Sequence, residues 1–215
     1  MSNLRSGRAQ DWAFKEAKAL GYVARSALKL REINQRFRVV RHGGAVLDLG
    51  CAPGAWLQVA CQALGASAGT VLGVDLQAVA LPLAFCDSRV RTLQSDVLSL
   101  SSKTLLDLHS PGFTVVLSDL APATTGASGV DAARSERLAL AALELAVGDD
   151  HGGVLRRGGS LVVKLLEGPG GGVASLTAAA RPLFSSVRWF RPKATRPESA
   201  ETFLIAQGLL RGVQS

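Results

Sequence analysis

The chain has 215 residues, 47% apolar and 19% charged, enough for one globular domain with a sizeable core. No run approaches the ~18 consecutive apolar residues of a membrane span, and the opening MSNLRSGRAQDW lacks the apolar centre of a secretion signal. Three cysteines, Cys51, Cys61 and Cys86, make neither a disulfide framework nor a CxxC zinc pair, so a reduced intracellular compartment is expected, with no metal and no membrane.

The net charge of +7 is unevenly placed. Residues 1–41 carry ten Lys/Arg against three acids, residues 42–180 eight against twelve, and residues 181–215 six against two. Basic ends around a mildly acidic middle suggest a polyanion surface, the bland alternative being a solvated basic face. Eighteen of the 24 basic residues are Arg, whose planar fork suits phosphate.

In chain order, residues 11–20 and 24–36 read as helices; in the second, Ala27, Leu28, Leu30, Ile33 and Phe37 follow helical spacing. After Gly43-Gly44 short apolar runs alternate with helical stretches. The runs are AVLDL (45–49), TVLGV (70–74), FTVVLS (113–118), SLVVKLL (160–166) and TFLIA (202–206). Val- and Leu-rich runs without polar alternation describe strands buried on both faces. Helices are predicted at 54–64, 131–147 (with Asp131 as N-cap) and 173–182. The pattern is a doubly wound α/β sheet (residues 42–210) behind a basic helical segment (1–41), all in a single domain.

In such a sheet ligands sit beyond the carboxyl ends of the strands. The first strand runs into Asp48-Leu49-Gly50-Cys51-Ala52-Pro53-Gly54-Ala55-Trp56, where Gly50 and Gly54 permit close backbone approach. Ala52 and Ala55 replace two glycines of the dinucleotide G-x-G-x-x-G pattern, which disfavours a pyrophosphate ligand. Asp75 ends the second strand, where a ribose would bind, and Asp96 follows the third, where an adenine amino group could donate. The ordered acids describe a nucleoside carrying positive charge, such as S-adenosyl-L-methionine. Taken singly, Asp75 is an ordinary strand-end turn residue.

Four further ionisable residues stand out. Lys164 lies inside SLVVKLL, where burial demands a partner or a function. Asp119 ends FTVVLS, Glu201 opens the last strand, and Lys29 lies on the second helix, where a solvated face is the plain reading.

RSALKLREIN, VLDLGCAPGAW, VLGVDL, LSDLAP, GGSLVVK and KATRPESAETF, in that order, resemble the FtsJ/RrmJ family of ribose 2′-O-methyltransferases from about residue 14 to residue 210. The resemblance implies a Rossmann-like S-adenosylmethionine-dependent methyltransferase fold, seven-stranded with the last strand antiparallel. It places the family's Lys-Asp-Lys-Glu tetrad on Lys29, Asp119, Lys164 and Glu201, and its cofactor contacts on Gly54, Trp56, Asp75, Asp96 and Asp119. The adjoining turn and strand-end residues Gly50, Ala52, Pro53, Leu76 and Val97 complete the expected donor site. The large-subunit ribosomal RNA branch is the most similar, especially forms that eukaryotes encode for organelles, so organelle, cytoplasm and nucleus all stay open.

The chain departs from the family at Leu28 (often Phe), Ala123 (Asn), Phe203 (Tyr) and Thr195 (Ser), none in the tetrad. The implied reaction is in-line attack of a ribose 2′-hydroxyl, in a uridine of large-subunit RNA, on a sulfonium methyl, with Lys164 as proton acceptor. Arg25, Arg31, Arg191, Lys193 and Arg196 are expected to grip RNA phosphates. Trp189 and Phe190 could stack on bases, although aromatics beside a strand are more often core. A monomer suffices. The alternatives are a tRNA ribose methyltransferase of the same family, a non-catalytic RNA-binding assembly factor and a dinucleotide-dependent reductase.

Overall fold

A computed structural model describes residues 12–66, 68–148, 152–169 and 172–211. Seven strands form one sheet: β1 (Ala45–Leu49), β2 (Thr70–Asp75), β3 (Val90–Gln94), β4 (Phe113–Ser118), β5 (Leu155–Leu166), β6 (Phe184–Phe190) and β7 (Glu201–Leu209). Their order is β3-β2-β1-β4-β5-β7-β6, with β7 alone antiparallel to its neighbours. The chain moves outwards from β1 to β3, then returns and builds the other half from β4. The order therefore reverses between β1 and β4, where the loops part and a crevice opens beyond the strand ends.

Alternation along each strand feeds two cores. Val46, Val71, Val115, Leu117, Val162, Phe203 and Ile205 face one side. It is covered by α1 (helical residues 12–19), α2 (Ala27–Phe37) and α3 (Ala55–Leu64). Leu47, Leu72, Val74, Val116, Val163, Leu204 and Ala206 face the other. That side is covered by α4 (Ser102–Leu108), α5 (Ser128–Val147) and α6 (Gly172–Ala180). A strand covered on both faces has no polar side, which is why the runs read as continuous hydrocarbon.

Helix ends follow local chemistry. Arg38 at the end of α2 adopts a left-handed conformation (φ 53°) and donates its N–H to the Asn34 carbonyl at 2.8 Å. The Asn34 side chain accepts from Val40 N–H, also at 2.8 Å, which stops the helix. α5 starts three residues earlier than expected, and Asp131 is not its N-cap. Its carboxylate instead accepts from the Thr125 N–H and hydroxyl and the Gly126 N–H, bracing the loop that leaves β4. Of the glycine cluster 168–172, Gly170 and Gly171 lie outside the described residues.

The thiols of Cys61 and Cys86 are free, their sulfurs 3.4 Å apart. No helix among the described residues is long and apolar enough to cross a membrane, and none of their His, Cys, Asp or Glu side chains group as a metal site.

Candidate active site

The carboxyl edge gathers the predicted residues. Gly50 and Cys51 both donate N–H groups to the Val74 carbonyl, at 2.8 and 3.2 Å, which folds the turn after β1 onto β2. Asp75, the last residue of β2, accepts Ala52 N–H with one carboxylate oxygen and Gln77 N–H with the other, each at 2.9 Å. Pro53 continues the turn, and Asp96 accepts Leu98 N–H at 2.9 Å, capping the 3₁₀ turn Val97–Ser99. Asp75 and Asp96 thus organise backbone as well as lining the edge. Leu76 beside them is 67% exposed, an apolar surface suited to a base, while Val97 is buried.

The two glycines serve chain packing. Gly50 has φ +81°, and a Cβ there would stand 3.0 Å from Leu120 N, on the loop after β4. Gly54 has φ +111°, and a Cβ would collide with the Leu83 side chain, on the loop after β2. Both positions need a left-handed conformation that side chains resist.

A third carboxyl lies beneath the turn. Asp48 is fully buried in β1 opposite Gly73, and neither of its oxygens has a hydrogen-bond partner among the described residues. Burial, then the charges of Asp119 and Asp75, push its pKa well above the ordinary carboxylate range. The Cys51 thiol is pushed up as well, by burial first and then by Asp48 and Asp75. Asp48 lies within electrostatic reach of both Asp119 and Asp75, and a carboxyl so buried and unpartnered fits a cation. The residues present therefore suit a positively charged nucleoside better than a phosphorylated one.

The tetrad assembles as two ion pairs. Lys164 Nζ stands 2.9 Å from Asp119 Oδ1 and donates to the Asp119 carbonyl at 2.7 Å. Lys29 Nζ stands 2.5 Å from Glu201 Oε1. Register explains their proximity. Lys164 pairs with Phe203 and Leu166 with Glu201 across β5 and β7. Opposite residues, and residues two apart, share a sheet face. Lys164 and Glu201 therefore project together towards α2, whose Lys29 reaches down to them. Because β7 runs backwards, its first residue lies at the same edge as the last residues of β5. Lys29, Lys164 and Glu201 are 8%, 7% and 8% exposed, so each charge depends on its partner.

Phe203, fully buried between the pairs, has the Lys29 ammonium 6.0 Å from its ring centre and the Trp56 ring at 5.9 Å. The Trp56 side chain is turned into the core and donates its indole N–H to the Ser26 carbonyl at 2.9 Å. Its ring anchors the start of α2.

Glu201→Ala would strand the Lys29 ammonium. Removing one partner of a buried pair costs about 3 kcal/mol or more, and 1 kcal/mol moves the melting temperature of a chain this long by about 2–4 °C. A fall of roughly 6–12 °C is expected by calorimetry. The double variant Lys29→Met/Glu201→Leu should recover most of it, hydrophobic replacement of a whole buried pair being close to neutral.

The basic rim holds most of the expected cations. Arg25 lies in the electrostatic field of Arg196, Glu201 and Glu198, Arg31 stands 4.0 Å from Glu16, and Lys193 is exposed. Arg191 has a different task from the one expected. Its guanidinium donates to the carbonyls of Glu201, Arg196, Pro197 and Ser199, at 2.6–3.2 Å, and clamps the loop that delivers Glu201. Trp189 donates to the Thr177 hydroxyl at 2.8 Å and Phe190 packs edge-on against Phe37, so both serve packing.

Asp48 was missed among the candidate residues, although a carboxylate inside AVLDL is the same signal that singled out Lys164. Residues 22–209 match the model of the FtsJ-like methyltransferase family. The chain is 45% identical over 208 residues, 96% of either chain, to the ribosomal RNA large subunit methyltransferase E of Nitratidesulfovibrio vulgaris strain DP4. It is 41% identical to that of Myxococcus xanthus, covering 92% of this chain and 88% of the relative. A crystal structure from Plasmodium falciparum described as a ribosomal RNA methyltransferase superposes with TM-score 0.73 at 21% identity, over 88% of this chain and 99% of that one, a likeness of fold. With a family match across nearly the whole sheet and the seven-stranded Rossmann-like fold in place, the chain belongs to the FtsJ-like methyltransferases.

Proposed function

We propose that the protein transfers the methyl group of S-adenosyl-L-methionine to a ribose 2′-hydroxyl, that of a uridine in large-subunit ribosomal RNA. The observation that carries this reading is the pair of buried Lys–carboxylate contacts, Lys164–Asp119 and Lys29–Glu201, on one sheet face at the carboxyl edge. The names of the relatives support ribosomal RNA as the substrate.

S-adenosylmethionine, when bound, supplies an activated methyl on a sulfonium. Asp75, Asp96, Leu76 and the turn Gly50–Gly54 would hold its nucleoside, with Asp48 and Asp119 supplying negative potential. Lys164 removes the hydroxyl proton. Lys164 Nζ donates to the Asp119 carbonyl and lies against Asp119 Oδ1, which fixes where the nitrogen meets the hydroxyl. Asp119 thus orients the base, and the Lys29–Glu201 pair holds the wall that positions the ribose. Burial excludes water that would otherwise compete for the Lys164 nitrogen.

Arg25, Arg31, Lys193 and Arg196 at the rim would hold flanking phosphates. Four such contacts imply that binding of a short target oligonucleotide falls with a slope of about −3 in log K against log salt. Flat binding between 50 and 200 mM salt contradicts the grip.

The reading is tested by incubating the protein with radiolabelled S-adenosylmethionine and unmodified large-subunit RNA, then mapping label by resistance of the 3′-phosphodiester to alkali. One labelled uridine ribose is expected. Label on a base, label on tRNA alone, or none would overturn it.

A further inference from the structure

A cavity of ≈ 680 Å³ opens at the opposite edge of the sheet, where β1, β4 and β5 begin. Its lining includes Arg41, His42, Thr114, Arg156, Arg157 and Ser160, and no carboxylate contributes to it among the described residues. Strand register explains why it exists. Phe113 pairs with Leu155 but Val115 pairs with Ser160, so two steps along β4 correspond to five along β5. The three surplus residues bulge outwards and carry Arg156 and Arg157 with them. Gly158 turns the bulge with φ +75°, and a Cβ there would meet nothing within 4 Å.

Arg41 and Arg157 are exposed and form no ion pair among the described residues. Arg156 spends its Nε–H on the Gly112 carbonyl at 2.9 Å, which fixes the guanidinium with its terminal nitrogens to spare. The positive field extends to His109 nearby, whose pKa is held below the ordinary value by burial first and then by Arg156 and Arg91. Guanidinium groups on fixed backbone, without acidic partners, are a phosphate-binding arrangement.

We propose that this cavity is a second RNA-backbone site, taking phosphodiesters of the substrate RNA remote from the nucleotide in the crevice. The inference rests on the ribosomal RNA reading above. The five-residue β1 alone separates the two edges by about 17 Å, so one nucleotide cannot occupy both. A folded RNA domain that passes around the sheet edge can. The second site would then distinguish a structured ribosomal segment from a short strand carrying the same target.

The test is the double variant Arg41→Gln/Arg157→Gln, compared with the wild type on two RNAs: a folded large-subunit domain and a short oligonucleotide with the same target. On the folded domain, KM should rise about fivefold to tenfold with kcat unchanged. The salt slope of binding should become shallower by about 2, one phosphate per arginine. On the oligonucleotide, nothing should change. Arg41→Lys/Arg157→Lys should restore the slope. Equal melting temperatures and equal donor binding establish that the variants are folded.

An unchanged slope on the folded domain overturns the site while leaving the methyltransferase reading intact, because the wild type still methylates. Equal losses on both RNAs overturn it too, placing the arginines in the crevice's service. Binding of inorganic phosphate or pyrophosphate by calorimetry, abolished in the double variant without any effect on RNA, assigns the cavity to a small anion and overturns the RNA claim. An effect on assembled subunits but not on naked RNA assigns it to a ribosomal protein and likewise overturns that claim. A wild type that methylates no RNA removes both readings together.

Discussion

Lys164→Ala is expected to slow single-turnover methyl transfer by about 10²–10⁴-fold, the usual contribution of a positioned general base. RNA affinity should stay within about threefold, since the rim cations do not move. Lys164→Arg sharpens the experiment. Arginine keeps a positive charge beside Asp119 but cannot give up its proton in a protein. If the residue serves only as a cation, arginine rescues the rate. If it must accept a proton, arginine fails as alanine does, and failure is the expected result. An alanine variant with the wild-type single-turnover rate removes the residue from the mechanism.

Asp48→Asn is expected to trade affinity for stability. Burial and the neighbouring carboxylates raise the pKa of Asp48 in the folded protein. A carboxyl raised above its unfolded value of about 3.9 holds its proton more tightly when folded. Wild-type stability from this group is therefore intact below about pH 4 and is lost progressively as pH rises towards the folded pKa. Asparagine carries no such slope. The variant should match the wild type near pH 4 and melt above it at pH 8. A cationic donor reverses the preference, because its charge is best met by ionised Asp48. Donor affinity should fall about tenfold in the variant, roughly 1.4 kcal/mol. Wild-type donor binding should release protons to buffer, measurable by calorimetry in buffers of different ionisation enthalpy, and the variant should release fewer. Equal melting curves at pH 4 and pH 8 for both proteins would refute the electrostatic account.

The fold was legible where burial leaves a chemical trace. AVLDL, TVLGV, FTVVLS, SLVVKLL and TFLIA all lie within observed strands, because hydrocarbon on both faces requires cover on both faces. β6 was not picked out as a strand, since Arg188 interrupts it and it lies at the sheet's edge, where one side stays wet. α4 escaped notice because seven residues give helical periodicity too few turns to register. In the site, Lys164 could be singled out as a charge within an apolar run. Its pairing with Asp119 and that of Lys29 with Glu201 could not, because the first depends on β4/β5 register and the second on where α2 docks over the start of β7. Arg191 was misread for the same reason: sequence shows a basic residue near the carboxyl edge, whereas only geometry shows four carbonyls waiting for it. The arginines of the β5 bulge were equally invisible, since a bulge is a mismatch between two strands and belongs to neither alone.

One member of the tetrad is delivered differently from the rest. Asp119, Lys164 and Glu201 are fixed by the sheet, whereas Lys29 arrives on a helix held by Trp56 at its start and by packing on α3. Partial opening of that helix would cost far less than unfolding the strands. It would dismantle half of the ionic arrangement while leaving the nucleoside acids where they are. On mild heating the protein would then pass through a form that still captures its donor yet does no chemistry, so that inactivation precedes the loss of β-structure.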